Sequence, residues 1–540
     1  MRFAILPLLA VALAVVSNAE ELTAAQRREI LLSHRAGGKL LSRRGIVADN
    51  HLSRRAAVAK APTTPQFKCL TNKTKKFAVN GSSLPDVPFN VGESYAGLLP
   101  ISTAPNEPRQ LYFWFFPSDA TEIKDNVGSD SELLIWLNGG PGCSSLEGLL
   151  QENGPFSWQY GTFRPVKNPW SWTKLTNVLW IEQPVGTGFS RGTPNVTSSS
   201  DAAAQLLGFL RNWMDTFDYH NKKIYIAGES YAGMYIPYIG DAMLASNAPT
   251  YFNLQGTLMY DPVIGEANVQ DNIPVAAYVD HWKDLLGLND TFLAAAKATA
   301  ARCGYTNYLN KYLTYPPPKG FQPTQSADPA EGCDLWMQIF EATLLVNPCF
   351  DMYQIATTCP LLWDQLGFPG SQEYLPDGAT VYFDRADVKK AINAPNVPWA
   401  TCSVGNVFVG DANGADLSLA PIATVLPRVI EKSKRTMIAH GQLDFVLIEN
   451  GTLLSIQNMT WGGMQGFQKA PVEPLLVPYH PDGPLGSLTG AGVFGTAHTE
   501  RGLTYSSVKL SGHMVPQYAP SAAYRHVQYL LGRISSLSTF

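Results

Sequence analysis

The 540-residue sequence is poor in charge and shows no excess of basic residues. Charged residues make up 16% of the chain, and the formal net charge is −4. Because nucleic-acid binding requires a concentration of lysine and arginine, we predict no nucleic-acid partner. The sequence also lacks CxxC pairs and Cys/His clusters, so we predict neither a metal site nor a cofactor. Hydrophobic residues reach 45%, which favours an ordered globular protein.

Long apolar runs are missing after the N-terminus. A membrane helix needs about 20 consecutive apolar residues, and no later segment approaches that length, so we predict no membrane anchor. Residues 1–19, MRFAILPLLAVALAVVSNA, combine an early arginine, an apolar run and small final residues, which is typical of a secretory signal peptide. Residues 20–55 are polar and arginine-rich, which indicates a propeptide or a flexible arm. The folded domain is then expected to span 56–540.

Two further features favour the secretory pathway and a secreted or vacuolar protein. Seven cysteines can form at most three disulfides, and bridges of that kind persist in oxidising compartments. Triplets of the form Asn-X-Ser/Thr are acceptors for N-linked sugar. They occur at Asn72, Asn80, Asn195, Asn289, Asn450 and Asn458.

Short apolar segments alternate with a helical pattern in the first half of the chain. Strand-like runs lie at 111–116, 133–138, 177–184, 223–228 and 254–261, and helical spacing covers 200–217. Buried strands that alternate with helices predict an α/β protein with a mainly parallel sheet. From about 265 to 397 the pattern is irregular, and we interpret about 266–395 as a large cap insertion. Strand-like signal returns at 435–444 and 503–514.

Ser230 lies where the strand at 223–228 should turn into a helix that starts near Tyr231. Small residues flank it, with Gly228 two positions before and Ala232 two positions after. A nucleophile elbow needs small residues there because the sharp turn brings strand and helix close together. The usual second glycine is an alanine in this chain. An ordinary strand-to-helix connection is the alternative interpretation.

Asp444 and His513 follow Ser230 in the order serine, acid, histidine, which is the order of α/β-hydrolase triads. Asp444 ends one predicted strand, and His513 follows another. His513 would act as general base, while Asp444 would fix its tautomer. His440 and His498 are rivals, but neither follows a C-terminal strand after the acid. We therefore predict the α/β-hydrolase fold, a mostly parallel central sheet with a large cap.

The segment WLNGGPGCSS at 136–145 follows another predicted strand and contains consecutive glycines. Glycine allows backbone N–H groups to face a ligand, and a loop after such a strand supplies one oxyanion donor in α/β-hydrolases. Gly140 and Tyr231 are therefore the predicted oxyanion donors, with a plain tight turn as the alternative. Glu229 is unexpected, because it places a carboxylate directly before the nucleophile.

Seven motifs occur in order along the chain. They are WLNGGPGCSS (136–145), ENGPF (152–156), NPWSW (168–172), IEQPVGTGFS (181–190), GESYAG (228–233), GQLD (441–444) and GHMVP (512–516). Together they resemble the serine carboxypeptidase family, the peptidase family of carboxypeptidase Y, whose fungal members are secreted or vacuolar. The resemblance runs from about residue 90 to the C-terminus, although the cap matches little.

The resemblance implies an activity and a set of site residues. It implies release of C-terminal amino acids from peptides and proteins through an acyl-enzyme on Ser230, with Asp444 and His513 completing the triad and Gly140 and Tyr231 forming the oxyanion hole. It assigns Asn138, Glu152 and Glu229 to the C-terminal carboxylate of the substrate. It also implies a disulfide between Cys143 and Cys402, with the four remaining cap cysteines bridged in an undetermined order.

Physical chemistry makes the two glutamates intelligible. Two buried glutamates close together cannot both ionise cheaply, so at least one keeps its proton to higher pH and can donate a hydrogen bond to a carboxylate. We therefore expect activity to favour acidic pH. A serine carboxypeptidase-like acyltransferase or an esterase is the alternative function, and a catalytically inactive binding protein is a third. The sequence leaves a monomer and a homodimer equally open.

Overall fold

A computed structural model describes residues 68–118, 131–325, 327–367, 375, 378–479 and 490–539. The predicted signal peptide and the predicted propeptide or arm lie outside these residues. Within the described segments, no helix combines the length and the apolar character needed to cross a membrane.

The described residues form fifteen strands, numbered in chain order. They are β1 (Ala78–Val79), β2 (Ser94–Pro100), β3 (Gln110–Phe116), β4 (Glu132–Leu137), β5 (Phe156–Ser157), β6 (Val166–Lys167), β7 (Asn177–Glu182), β8 (Lys223–Glu229), β9 (Asn253–Tyr260), β10 (Arg435–Gly441), β11 (Thr460–Trp461), β12 (Met464–Gln465), β13 (Glu473–Val477), β14 (Gly492–Glu500) and β15 (Leu503–Val508). Eleven of them build one sheet in the order β1-β2-β3-β7-β4-β8-β9-β10-β15-β14-β13.

The six central strands, from β7 to β15, are mutually parallel, and the strands at both edges are antiparallel. Fourteen α-helices accompany them: Ser145–Gly148, Ser199–Phe217, Ala232–Ala245, Ala267–Gln270, Asn272–His281, Lys283–Leu286, Asp290–Arg302, Tyr305–Tyr312, Leu335–Val346, Ala386–Ala391, Leu426–Lys432, Glu449–Asn458, Val515–Tyr518 and Pro520–Leu530. The predicted α/β fold with a mostly parallel sheet is confirmed.

The sheet is buried on both faces, which explains why its strands are apolar without interruption. In β3, Leu111, Phe113 and Phe115 pack into one hydrophobic cluster. The alternate residues Tyr112 and Trp114 pack into another cluster on the opposite face. Successive side chains of a strand point to opposite faces, so a strand between two helical layers needs apolar residues at every position.

The chain between β9 and β10 carries eight of the helices and two disulfides, Cys303–Cys333 and Cys349–Cys359. It is more helical than the sequence pattern predicted. The helix Asp290–Arg302 begins at an N-cap, where the Asn289 side chain accepts a hydrogen bond from the Phe292 N–H at 2.9 Å. The helices of this region are short and interrupted by prolines, so their periodicity is hard to detect in the sequence. Tertiary packing stabilises them.

The carboxyl ends of the parallel strands bring distant residues to one edge of the sheet. Asn138 follows β4 directly, Glu229 ends β8, and Asp261 follows β9. Asp444 and His513 lie in the loops after β10 and β15. In open α/β sheets ligands bind outside this edge, so the fold places the candidate residues where a site is expected.

Candidate active site

Ser230 occupies a sharp turn between β8 and the helix Ala232–Ala245. Its φ of 59° lies in the left-handed region, and its N–H donates to the Tyr260 carbonyl at 2.9 Å. A side chain at position 228 would place its Cβ 2.2 Å from the Leu137 carbonyl oxygen, so only glycine fits two residues before the serine. The Cβ of Ala232 would also crowd a side chain at position 228, because it lies 2.9 Å from where the Cβ of that side chain would be. The turn has the features of a nucleophile elbow.

His513 and Asp444 are buried and hydrogen-bonded to each other. The distance from His513 Nδ1 to Asp444 Oδ2 is 2.7 Å. Asp444 Oδ1 accepts further hydrogen bonds from the backbone N–H groups of Val446 at 2.8 Å and Leu447 at 3.3 Å. His513 Nε2 is buried without a hydrogen-bond partner among the described residues. An imidazole held in this way has its second nitrogen available as a base.

The cap contributes to the position of the histidine. The His513 N–H donates to the Tyr353 carbonyl at 2.8 Å, and the two rings lie with their centroids 5.1 Å apart. The rival histidines have other partners. His440 lies 2.7 Å from the Leu447 carbonyl oxygen, and His498 lies between Glu473 and Glu500 at the edge of the sheet.

The glycine loop after β4 lies against the elbow. A Cβ on Gly139 would be 2.4 Å from the Tyr231 backbone nitrogen, and Gly140 has a φ of 108° that favours glycine. In the described part of the chain, the N–H groups of Gly140 and Tyr231 donate no hydrogen bond. Two such donors beside a nucleophile can stabilise a negatively charged oxygen.

A disulfide between Cys143 and Cys402 ties this loop to the chain that follows the cap. Backbone hydrogen bonds flank it, from Ser144 N–H to the Thr401 carbonyl at 2.7 Å and from Ser403 N–H to the Gly142 carbonyl at 2.9 Å. The sulfur of Cys143 lies 2.8 Å from the position a Cβ on Gly140 would take. The loop is therefore fixed by both covalent and backbone contacts close to the elbow.

Asn138 connects the acids that surround the serine. Trp136 Nε1 donates to Asn138 Oδ1 at 2.6 Å, and an indole N–H only donates, so this contact fixes the orientation of the amide. Asn138 Nδ2 then donates to Glu229 Oε1 at 2.9 Å and to Glu147 Oε2 at 2.5 Å. Glu152 completes the group: Glu147, Glu152 and Glu229 each place an oxygen within 4.8 Å of the others. We call these three residues the acid cluster.

Glu147 is the member that the sequence analysis missed. It precedes the π-helical turn Leu149–Asn153, which begins directly after Gly148. Because a π-helix places residues five apart on the same side, Glu147 and Glu152 face each other. The five-residue spacing in SSLEGLLQE is a weak signal, since an ordinary α-helix would separate the two side chains.

Burial dominates the electrostatics of the acid cluster. It raises the pKa of Glu147 to about 8, and the nearby Asp364 adds to the increase. It also raises the pKa of Glu152 and of Glu229 well above the usual range. Glu229 and Glu147 add to the increase in the pKa of Glu152, whereas for Glu229 only Glu147 of the cluster adds to it and a hydrogen bond with Glu152 opposes it. The groups that act on these pKa values are acids and an amide, with no lysine or arginine. The cluster must therefore hold protons at mildly acidic pH.

Two groups of side chains have spacing that a metal ion could use. One is the acid cluster, and the other is Asp261, Asp444 and His513. In the acid cluster, both N–H groups of the Asn138 amide point at carboxyl oxygens. An N–H dipole repels a cation and favours an anion, so this cluster is better suited to protons and to a ligand carboxylate than to a metal.

The predicted glycosylation sites differ in exposure. Asn72, Asn80, Asn195 and Asn289 are exposed, whereas Asn450 and Asn458 are half-buried. Attachment of sugar requires an accessible amide nitrogen, so the four exposed asparagines fit the modification better.

The fold and the elbow define an α/β-hydrolase with a serine at the nucleophile position. Comparison with known proteins narrows this class: the family model for serine carboxypeptidase matches residues 85–533. The chain therefore belongs to the serine carboxypeptidase family, as the motifs predicted. The predicted enzyme class, serine-type carboxypeptidase acting on peptides, is confirmed.

Two fungal relatives and one solved structure illustrate the match. The chain is 58% identical over 479 residues to a probable serine carboxypeptidase of Arthroderma benhamiae, covering 87% of this chain and 88% of the relative. It is 47% identical over 493 residues to serine-type carboxypeptidase F of Aspergillus niger, with 87% and 89% covered. A prohormone-processing carboxypeptidase, Kex1(delta)p of Saccharomyces cerevisiae, shares the fold with a TM-score of 0.64 and 22% identity, with 85% and 96% covered.

Proposed function

We propose that the enzyme releases C-terminal amino acids at acidic pH through an acyl-enzyme formed on Ser230. His513 Nε2 takes the proton from the Ser230 hydroxyl as that oxygen attacks the last peptide carbonyl, and Asp444 stabilises the resulting imidazolium. The N–H groups of Gly140 and Tyr231 bind the developing oxyanion. The imidazolium then gives its proton to the leaving amine. Water repeats the sequence and releases the shortened peptide.

The observation that carries this proposal is the acid cluster beside the nucleophile. Glu229 directly precedes Ser230, and its carboxyl group is linked through the Asn138 amide to Glu147. Neither carboxyl oxygen of Glu152 receives a hydrogen bond from an N–H or hydroxyl group among the described residues. A buried carboxyl group that receives no hydrogen bond from an N–H or hydroxyl group can form one with a neighbouring acid only if one of the two carries a proton.

A protonated acid cluster is a receptor for a carboxylate. A carboxylic acid donates one hydrogen bond, so Glu152 and Glu229 can hold the free C-terminus of a peptide. Asn138 joins them when one of its two N–H groups, which donate to Glu147 and Glu229 in the free enzyme, turns to the substrate carboxylate. When these acids ionise at higher pH, they repel the substrate carboxylate instead. This arrangement selects the last residue of a chain, because an internal peptide bond has no carboxylate to place there.

Several wider assignments accompany the proposal. The folded enzyme spans 56–540 after removal of a signal peptide (1–19) and of a propeptide or arm (20–55), and the segment 266–395 forms a cap over the site. It acts on the C-termini of peptides and proteins in the secretory pathway, secreted or vacuolar, as a monomer or a homodimer. The three disulfides support an oxidising compartment.

A timed digest of a mixed peptide pool between about pH 4 and pH 7, followed by mass spectrometry, tests the proposal. We expect stepwise loss of residues from C-termini, which disappears in Ser230→Ala. Ser246→Ala removes the serine that follows the same helix and should digest like the unmodified enzyme. Cleavage at internal bonds, or an unchanged digest by Ser230→Ala, would contradict the proposal.

A further inference from the structure

A second buried acid lies behind the proposed triad. Asp261 follows β9, and its side chain is completely buried. Its Oδ1 accepts a hydrogen bond from the Gly441 N–H at 2.8 Å, at the end of the neighbouring β10. Its Oδ2 is buried without a partner among the described residues. One carboxyl oxygen is therefore held by the backbone, while the other is left for a proton.

Asp261 is close to the acid and the base of the triad. An oxygen of Asp261, an oxygen of Asp444 and a ring nitrogen of His513 all lie within 4.8 Å of one another. Two ionised carboxylates at such a distance in a buried site repel each other strongly. A neutral His513 offers no compensating charge, so the two acids favour sharing one proton.

Among the described residues, the groups around Asp261 and Asp444 supply no cation. His440 Nε2 lies 3.4 Å from Asp261 Oδ1, but its short contact of 2.7 Å with the Leu447 carbonyl directs its proton there. Burial lowers the pKa of His440 to about 4, so this ring is neutral above that pH. The titratable groups around the pair are Glu229, Tyr260, Tyr278, Asp351, Tyr353, His440, Glu449, Tyr505 and His513.

We propose that Asp261 remains protonated and donates a hydrogen bond to Asp444. In this way it acts as a positioning residue for His513. This inference rests on the proposed triad. Burial, reinforced by the neighbouring Asp444, raises the pKa of Asp261 well above its usual range, in agreement with the geometry. Asp444 then accepts hydrogen bonds from Asp261, His513 and the backbone at once.

The proton on Asp261 matters for an enzyme that acts in acid. A general base fails when it is protonated before it meets the substrate, and a nearby negative charge promotes that protonation. A neutral Asp261 adds no such charge, and its hydrogen bond weakens the pull of Asp444 on the His513 proton. The acid limb of the pH–rate profile should therefore lie at lower pH with the Asp261 donor in place than without it.

The rate at which an organophosphonate labels Ser230, measured against pH, tests this inference without a peptide carboxylate. Asp261→Asn keeps an acceptor for Gly441 N–H and a donor toward Asp444. The acid limb of its profile, the fall in labelling rate toward low pH, should therefore coincide with that of the unmodified enzyme. Asp261→Ala removes the donor, and its acid limb should move up by about one pH unit. Thr257→Val, a buried polar change within β9, is the control and should not move the limb.

The outcomes separate the possibilities. An acid limb that moves down by about one pH unit in Asp261→Asn would show that Asp261 is ionised and would overturn the inference. A rate that falls in Asp261→Ala with no movement of the limb would reduce Asp261 to a structural residue, which also overturns it. Asp261→Asn decides alone if Asp261→Ala does not fold. Failure of the unmodified enzyme to be labelled would instead refute the proposed triad.

Discussion

Replacing Glu229 with glutamine should make peptide hydrolysis less sensitive to alkaline pH. The amide introduced by Glu229→Gln never ionises, and its oxygen can still accept the hydrogen bond from Asn138 that Glu229 accepts at 2.9 Å. Removal of one acid from a repulsive cluster also lowers the total negative charge at any pH at which that acid would ionise. The substrate carboxylate therefore meets less repulsion, and the difference from the unmodified enzyme grows as pH rises.

The size of the effect follows from the spacing of the acids. Carboxyl oxygens of the acid cluster lie within 4.8 Å of one another, and a substrate carboxylate bound among them would meet each acid at a similar distance. One charge pair at that separation is worth about 3.5 kcal/mol at an effective dielectric constant of about 20. We therefore expect the ratio of kcat/KM, Glu229→Gln over unmodified enzyme, to rise about 30- to 300-fold between about pH 5 and pH 9.

The assay compares two substrates that differ only at the C-terminus. A blocked dipeptide with a free carboxylate should show the rising ratio, whereas the same dipeptide with a C-terminal amide should show a flat one. Glu152→Gln should behave in the same way as Glu229→Gln. The reasoning is refuted if both variants keep the alkaline decline of the unmodified enzyme, or if the amide substrate declines equally.

Three further predictions concern the framework of the site. Gly139→Ala places a Cβ 2.4 Å from the Tyr231 nitrogen and should lower kcat about 100-fold by disturbing one oxyanion donor, and it should also lower the Tm because backbone atoms must move to admit the Cβ. Loss of the Cys143–Cys402 disulfide by double alanine substitution should cost about 2–5 kcal/mol in urea unfolding and lower kcat, whereas loss of Cys303–Cys333, which does not enclose Tyr353, should leave kcat unchanged. The pKa of Glu147 is raised from 4.5 to about 8, so the native state binds this proton more tightly than the unfolded chain does. The stability gained from the bound proton is complete below about pH 4.5 and is lost as pH rises toward 8. Tm should fall across that window, and Glu147→Gln should flatten the fall.

The sequence predicts well those parts of the site that depend on residues close together along the chain. Ser230 was recognisable because Gly228 and Ala232 meet the steric demands of a turn that spans five residues. The strands of the central sheet were recognisable because burial on both faces requires an uninterrupted apolar run, as in β3 and β8. Strands β2 and β14, each next to the last strand of the sheet, were missed, since partial exposure and internal glycines weaken the same pattern.

The parts that were missed depend on contacts between distant residues or on an uncommon helix. Asp261 meets Asp444 only because β9 pairs with β10 in a register that sets Tyr260 opposite Ala439. Glu147 meets Glu152 only because a π-helical turn follows it. The pairing of the cap cysteines could not be read from their spacing, because several connectivities satisfy the same loop lengths.

The two sides of Ser230 place opposite demands on protons. In the proposed mechanism the acid cluster must keep its protons to bind a carboxylate, whereas His513 must be unprotonated to act as a base. Activity is therefore confined between the pH at which His513 deprotonates and the pH at which the acid cluster ionises. Glu147 extends the upper limit, because its charge would oppose ionisation of Glu152 and Glu229. A protonated Asp261 extends the lower limit, because it spares His513 a second negative charge. On this proposal, buried carboxyl groups beyond the triad widen the acidic range of the enzyme from both ends. It agrees with the proposal that, among the described residues, neither Glu147 nor Asp261 forms an ion pair with a lysine or arginine.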